Sequence, residues 1–365
     1  MRVLFVCTNL KTGGAERQWS LLLPSLRDKG FEVSLLALTV EGEFFAAVRD
    51  SGVPSACAHM RNRTDIPGVI RALRHSKWKP DIVVTNSVLG HVMGHALARR
   101  AGARHMATEH GISPVANDHA SRSRARGLVA SRVDRVVGVT QKQVPYLISL
   151  GYRPERIEYV WSGIPDIVPT RPRPEVRAEL GLGTDDFAAF LIAILRPEKR
   201  ADLFLDAISR AHADDPGIRG FIAGRGPQLS LIRERAAARN SAVAVLGDRS
   251  DVPDLMEAAD AVCLTSETEA LPMVVIEAMA LGRPVIATEV GGTGDLVVSG
   301  ETGVLIPPGD EDALVRAILD ARAQPERLKK YAAAARQRQK AFFTLTRMVE
   351  GYGRVLTDLM ASPRV

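Results

Sequence analysis

Short apolar runs rich in β-branched residues alternate with amphipathic stretches along this chain, and the alternation occurs twice. In the first half the runs cover residues 2–8, 32–38, 81–85, 104–109, 134–139 and 156–160. Between them, residues 15–29, 89–100 and 142–150 carry apolar side chains at helical spacing. A strand that is apolar throughout is covered on both faces, so the pattern predicts a parallel sheet with helices on either side. The second half repeats it. Strands are expected over 187–194, 218–223, 242–246, 261–264 and 284–288, and helices over 201–212, 228–239, 272–281 and 344–360.

Between the two halves lies the most proline-dense stretch, from Ile164-Pro165 through Pro169, Pro172 and Pro174. Proline ends helices and favours extended backbone, so this stretch reads as an interdomain hinge. A length of 365 residues suits two domains. The expected division is 1–168 and 169–340, with a last helix over 341–365 returning to the first domain. The predicted class is α/β, with two Rossmann-like, doubly wound parallel-sheet domains. Such sheets bind ligands at the carboxyl ends of their strands, and a cleft between facing domains is the expected site.

The composition is that of a globular protein, 46% hydrophobic and 25% charged. The three cysteines, Cys7, Cys57 and Cys263, are far apart and form no CxxC or Cys/His cluster, which argues against a disulfide framework or a zinc site. Val3-Leu4-Phe5-Val6 near the start is too short for a membrane span, and no other run is long enough. A cytoplasmic location with no signal peptide is the expectation. Residues 1–165 carry 23 Lys+Arg against 13 Asp+Glu, and residues 166–365 carry 25 against 29. The first half is therefore basic. Arg99, Arg100 and Arg104, and then Arg122, Arg124, Arg126, Arg132 and Arg135, concentrate that charge. Either it meets an anionic partner, such as an anionic membrane touched peripherally, or it is a solvated face. No nucleic-acid partner is expected.

Three segments are candidates for carrying chemistry. Thr8 to Glu16 follows the first strand, and its pair Gly13-Gly14 lets backbone approach a ligand just before a helix. No Gly-Lys-Ser/Thr follows, so it is not a Walker loop. Gly224-Arg225-Gly226 is interrupted by Pro227 and reads as a tight turn, not a dinucleotide fingerprint. Glu269-Ala270-Leu271-Pro272-Met273 leads from a buried strand into a helix carrying Glu277. Proline suits a helix start, whose amides attract anions, and the two carboxylates can accept hydrogen bonds from sugar hydroxyls. The plain alternative is a pair of carboxylates on a helix start and a solvated face.

Glu269 and Glu277, eight positions apart and followed by Ala278-Met279-Ala280 and Gly282-Arg283-Pro284, resemble the E-x7-E signature of family 4 glycosyltransferases. Gly13-Gly14-Ala15-Glu16-Arg17-Gln18 resembles that family's first glycine loop, and Thr108-Glu109-His110-Gly111 its central histidine segment. Pro197-Glu198-Lys199 resembles its phosphate-binding lysine motif. Val245-Leu246-Gly247 with Ser250-Asp251-Val252-Pro253 resembles the stretch that holds the base. The resemblance spans nearly the whole chain. It implies the GT-B fold, and retaining transfer from a UDP- or GDP-sugar to a glycan, lipid-linked or small-molecule acceptor. The donor would be bound by the second domain and the acceptor by the first. Glu269 would hold donor-sugar hydroxyls and Glu277 the ribose. The amides of Ala270, Leu271, Pro272 and Met273 would line the sugar and diphosphate, Lys199 would neutralise the diphosphate, and His110 would sit by the reacting sugar carbon. No cofactor and no metal are implied, and no DxD-type carboxylate pair stands at a strand end.

The sequence departs from the family pattern twice. Ile194 stands five residues before Lys199, where most members carry arginine; Arg196, Arg200 or Arg249 are the available substitutes. Ser162-Gly163 replaces the usual Asn-Gly. Two other readings stay open, a nucleotide-sugar epimerase of the same fold and a catalytically degenerate sugar-nucleotide-binding protein.

Overall fold

The structure, a computed structural model, describes residues 1–11, 13–62, 65, 69, 79–112, 127–238 and 242–363. Internal contacts divide the chain into two compact units, Met1–Ile164 with Leu345–Val365, and Pro165–Thr344. Arg122, Arg124 and Arg126 of the basic stretch lie outside the described residues.

In the first unit, strands β1 (Arg2–Cys7), β2 (Glu32–Ala37), β3 (Ser55–Cys57), β4 (Ile82–Asn86), β5 (Arg104–Glu109), β6 (Arg135–Gly138) and β7 (Ile157–Tyr159) form one sheet in the order β3-β2-β1-β4-β5-β6-β7. Every pairing is parallel. Helices α1 (Gly14–Asp28), α2 (Phe45–Asp50), α3 (Val88–Ala101) and α4 (Val144–Ser149) connect them. The period-two alternation of β1 splits its side chains between two cores. Val3, Phe5 and Cys7 pack with Trp19, Leu22, Leu23 and Leu26 of α1. The Phe5 and Trp19 rings meet edge-on, 5.0 Å between centroids. Met348, Tyr352, Val355, Leu356 and Leu359 of the C-terminal helix (Leu345–Ala361) complete that core. Leu4 and Val6 face the other way, toward Val83 and Ala98. Gly94 lets α3 sit close on β4, since a Cβ there would lie 2.1 Å from Thr85 Cγ2.

The second unit repeats the plan. Strands β8 (Phe187–Ile192), β9 (Ile218–Ala223), β10 (Val243–Gly247), β11 (Ala261–Leu264), β12 (Val285–Thr288) and β13 (Gly303–Ile306) run in the order β10-β9-β8-β11-β12-β13, again all parallel. Its helices are α5 (Arg173–Glu179), α6 (Ala201–Asp214), α7 (Leu229–Ala238), α8 (Val252–Ala258), α9 (Met273–Ala280), α10 (Thr293–Leu296), α11 (Glu311–Ala323) and α12 (Pro325–Phe342). Phe187, Ala189 and Leu191 pack under α6 and α11. Phe190 and Phe221 stack at 4.8 Å on the opposite face. Both sheets thus have the Rossmann-like, doubly wound order, with a reversal between β1 and β4 in one unit and between β8 and β11 in the other.

Two expectations change. The proline-dense stretch is not hinge throughout: Pro172 caps α5 and Pro174 sits in its first turn, where a missing N–H costs nothing. The basic cluster is also smaller than its sequence suggests. Arg104 is buried, holding Asp134 at 2.9 Å and the Ser362 carbonyl, and Arg135 pairs with Glu158 at 3.2 Å. Among the described residues of that cluster, Arg99, Arg100 and Arg132 are the exposed ones. No described helix is long and apolar enough to cross a membrane.

Candidate functional site

Lys199 and Glu269 come from the loops after β8 and β11, the adjacent parallel strands between which the strand order of the second sheet reverses. Beyond β8 the chain turns through a short 3-10 helix, Pro197–Lys199. Lys199 Nζ donates to Glu269 Oε1 at 2.5 Å, and Ser266 Oγ donates to the same oxygen at 2.7 Å. The side chains are 22% and 10% exposed, so the pair is largely desolvated.

The two loops are tied together along their length. Thr265, fully buried, donates its hydroxyl to the carbonyls of Lys199 at 2.9 Å and Arg200 at 3.0 Å. Glu267 N–H donates to the Glu198 carbonyl at 2.8 Å. Arg200 adopts a left-handed backbone, φ 49° and ψ 47°, at a cost of about 1–2 kcal/mol for a residue with a Cβ. Its guanidinium grips Asp202 at 3.1 Å and Glu267 at 2.8 Å, which holds the turn in place.

After Glu269 the chain passes through Ala270 and Leu271, both buried, to Pro272, which caps α9. Gly292 N–H donates to the Ala270 carbonyl at 2.9 Å, fixing the approach. The first turn of α9 begins at Met273, so the start of a helix follows directly on the Lys199–Glu269 pair. Glu277 lies farther along the same helix and is 5% exposed. One loop and one helix thus carry Glu269, Ala270, Leu271, Pro272, Met273 and Glu277, and the neighbouring loop supplies Lys199.

Arg249 is not among the partners of that pair. It forms a two-pronged contact with Asp251, 2.7 and 2.5 Å, and reaches Glu179 at 3.0 Å. These partners raise its already high pKa. Asp251 and Glu179 also hold Arg171, which joins the start of this unit to α8. Of the three arginines available to replace the one missing at Ile194, Arg200 and Arg249 are therefore held by carboxylates at hydrogen-bond distance. Arg196 is half exposed, with Glu198 3.9 Å away.

Gly13, Gly14 and His110 belong to the other unit. Gly13 is extended and caps α1, which opens at Gly14. A Cβ at Gly13 would fall 2.1 Å from Glu16 Oε2, so the carboxylate folds over the glycine. His110 follows β5. Its Nε2 is shielded from solvent and has no hydrogen-bond partner among the described residues. Burial pushes its pKa down to about 4, against the opposing pull of Glu109, so the ring is neutral at neutral pH. A neutral imidazole with one unmet polar atom can give or accept one hydrogen bond to a ligand.

Sequence reasoning did not reach the buried polar chain beside it. His95 Nδ1 lies 3.1 Å from His105 Nδ1, His105 Nε2 lies 2.9 Å from Thr85 Oγ1, and Thr85 Oγ1 lies 2.7 Å from His91 Nδ1. His91 Nε2 then meets Glu109 Oε1 at 3.2 Å, and Tyr152 donates its hydroxyl to that oxygen at 2.8 Å. Burial lowers the pKa of His105 well below the usual range, with a like-sign contribution from the neighbouring histidines. Three histidines between positions 91 and 105 were the available signal. Among the described residues no group of three or more His, Cys, Asp or Glu side chains is placed to hold a metal ion.

Comparison with known proteins agrees with this architecture. The family described as Glycosyltransferase Family 4 matches residues 12–166, and that described as Glycosyl transferases group 1 matches residues 172–338. A D-inositol 3-phosphate glycosyltransferase from Segniliparus rotundus is 27% identical over 72% of this chain and 63% of its own length. Another, from Rhodococcus opacus, is 30% identical over 76% of this chain and 67% of its own length. The chain therefore spans about two thirds of these curated relatives or less. Among solved structures, HepE of Anabaena in complex with UDP and glucose superposes with a TM-score of 0.88 at 22% identity, covering 98% of this chain and 100% of that one. Sucrose-phosphate synthase from Thermosynechococcus elongatus does so at 0.82 and 20% identity, covering both chains fully. These likenesses place the fold in the GT-B class. The matches to both halves and the similarity to the Rhodococcus enzyme show that the chain belongs to glycosyltransferase family 4.

Proposed function

We propose that this chain is a retaining, metal-independent glycosyltransferase that moves a sugar from a nucleotide-sugar donor bound by the second unit to an acceptor bound by the first. The observation that carries this reading is the Lys199–Glu269 pair at the reversal point of the second sheet, with a helix start beside it. A cation and helix amides at one spot suit a diphosphate leaving group, because both stabilise charge that grows as the bond to the sugar breaks. Lys199 takes the diphosphate, and Glu269 turns its second oxygen to donor-sugar hydroxyls. The amides of Ala270, Leu271 and Met273 line the sugar and phosphates, and Glu277 takes the ribose. Arg196, the least engaged of the nearby arginines, supplies the cation missing at Ile194.

In the reaction the bond between the anomeric carbon and the diphosphate oxygen breaks, and the acceptor oxygen bonds to that carbon on the same face. The acceptor proton passes to the departing phosphate. His110 accepts or donates a hydrogen bond at a donor-sugar hydroxyl through Nε2, which has no partner among the described residues. Gly13 and Gly14 let backbone approach the ligand. The UDP and UDP-glucose complexes of HepE make UDP-sugars the first donors to try, and the curated relatives make phosphorylated polyols the first acceptors. The exposed Arg99, Arg100 and Arg132 suit an anionic acceptor or membrane surface. The relatives named above do not favour the epimerase alternative.

A panel of UDP- and GDP-sugars, offered with and without phosphorylated polyols and lipid extracts, tests the proposal. The expected result is nucleotide release with a new glycoside of the donor's own anomeric configuration by NMR. An inverted product, or a changed sugar without transfer, rejects it.

A further inference from the structure

His110 is held by neighbours that are themselves fixed, and one residue does most of the fixing. Gln143 ends the 3-10 turn Gln141–Gln143 just before α4 and is fully buried. Its amide nitrogen donates to the Glu109 carbonyl at 3.1 Å and also to the Gly111 carbonyl. Its amide oxygen accepts from Val139 N–H at 2.8 Å. The two accepting carbonyls belong to the residues on either side of His110. Room for this carboxamide depends on Gly138, where a Cβ would lie 2.8 Å from Gln143 Oε1. The Glu109 side chain is anchored separately by the Tyr152 hydroxyl at 2.8 Å, and His91 Nε2 lies 3.2 Å from the same oxygen without a hydrogen bond to it.

Within the segment 109–111, therefore, both flanking residues are tied by hydrogen bonds, while the imidazole between them keeps Nε2 without a hydrogen-bond partner among the described residues. A buried amide with every polar atom used is rigid, and a rigid support keeps a ligand-facing group in register. We infer that Gln143 is a positioning residue for His110, clamping the backbone on both sides of it, with Tyr152 as a second anchor acting through Glu109. This inference rests on the reading of His110 as a donor-sugar contact.

The test measures kcat and donor KM for Gln143→Leu, His110→Ala and the double variant, with UDP binding and thermal unfolding recorded for each. A misplacement of about 1 Å can cost about a hundredfold in rate. Gln143→Leu is expected to lower kcat about ten- to a hundredfold while donor KM and UDP affinity stay within about twofold. It should add little to the loss already present in His110→Ala, since residues acting as a unit are not additive. Tyr152→Phe removes one hydroxyl and keeps the packing, which covers the case in which Gln143→Leu does not fold. It should lower kcat severalfold in the parent and not in the His110→Ala background. Additive losses in both pairs, or variants that lower only the melting temperature, overturn the inference. If His110→Ala itself retains full turnover, the reading of His110 fails first and the inference falls with it.

Discussion

Replacing Lys199 by methionine separates the stability of the candidate site from its chemistry. The change removes the cation and leaves Glu269, 10% exposed, with the Ser266 hydroxyl still on the same oxygen. Exposed ion pairs are worth about 0–1 kcal/mol, whereas stranding one partner of a buried pair costs about 3–5 kcal/mol. With exposures of 22% and 10% the pair lies between these limits, so Lys199→Met should cost about 2 kcal/mol. Glu269→Gln strands the more exposed partner and should cost about 1 kcal/mol. The double variant leaves no stranded charge and should cost less than the sum, with a coupling of about 1–2 kcal/mol. At about 2–4 °C per kcal/mol for a unit of this size, Lys199→Met should lower its transition by roughly 4–8 °C. Since two units can unfold separately, the transition to follow is the one that UDP raises. Turnover of Lys199→Met on the identified donor should fall about a hundred- to a thousandfold, the loss seen when a charge-stabilising donor is removed. Additive melting shifts across the cycle, together with near-parent turnover, would refute the argument that this pair is both desolvated and functional.

Three further outcomes follow from other parts of the molecule. Turnover should be unchanged in EDTA; complete loss restored by a divalent ion would overturn the cation and helix-start account of the leaving group. Gly224→Ala should cost more than about 3 kcal/mol by denaturant midpoint, because its Cβ would lie 1.8 Å from the Ala193 carbonyl oxygen, whereas Gly300→Ala, with open space around it, should cost only about 1 kcal/mol for its positive φ; equal costs would contradict the loop geometry after β9. Co-sedimentation with anionic vesicles, reversed by salt and weakened by Arg99/Arg100/Arg132→Ser, is expected; equal recovery in the supernatant with anionic and neutral lipid would leave these arginines as solvated charge.

The fold was legible because central strands of a parallel sheet are apolar on both faces. Val3 to Val6, Ile82 to Val84 and Phe187 to Leu191 announce themselves for that reason. Two of the four edge strands, β3 and β13, did not, whereas β7 and β10 were expected over 156–160 and 242–246. Ser55-Ala56-Cys57 carries no β-branched residue, and Gly303–Ile306 is four residues opened by a glycine. Helix α12 was also silent: its buried residues Leu328, Tyr331, Ala335 and Gln339 keep helical spacing, but only two of them are large and apolar. In the second unit the pieces of the candidate site, Lys199, Glu269 and the helix start, could be placed from the sequence, since each sits just beyond a strand. The supports of His110 could not. Gln143 acts on backbone carbonyls 34 and 32 positions away, and every sequence has carbonyls. The pairing of Arg249 was not legible for a related reason, because nothing local to it reveals Glu179 as a partner.

The first unit is discontinuous, and that sets an order of events during synthesis. Val3, Phe5, Trp19 and Leu23 leave the ribosome early, yet the core that covers them is completed by Met348, Tyr352, Val355, Leu356 and Leu359. The second unit, continuous from Pro165 to Thr344, is fully extruded before that last helix appears. A nascent chain therefore carries an open apolar face on its first sheet while its second unit can already close. A stop codon placed after Thr344 should yield a folded second unit attached to an aggregation-prone first one, and the C-terminal helix supplied as a separate peptide is the natural means of rescue.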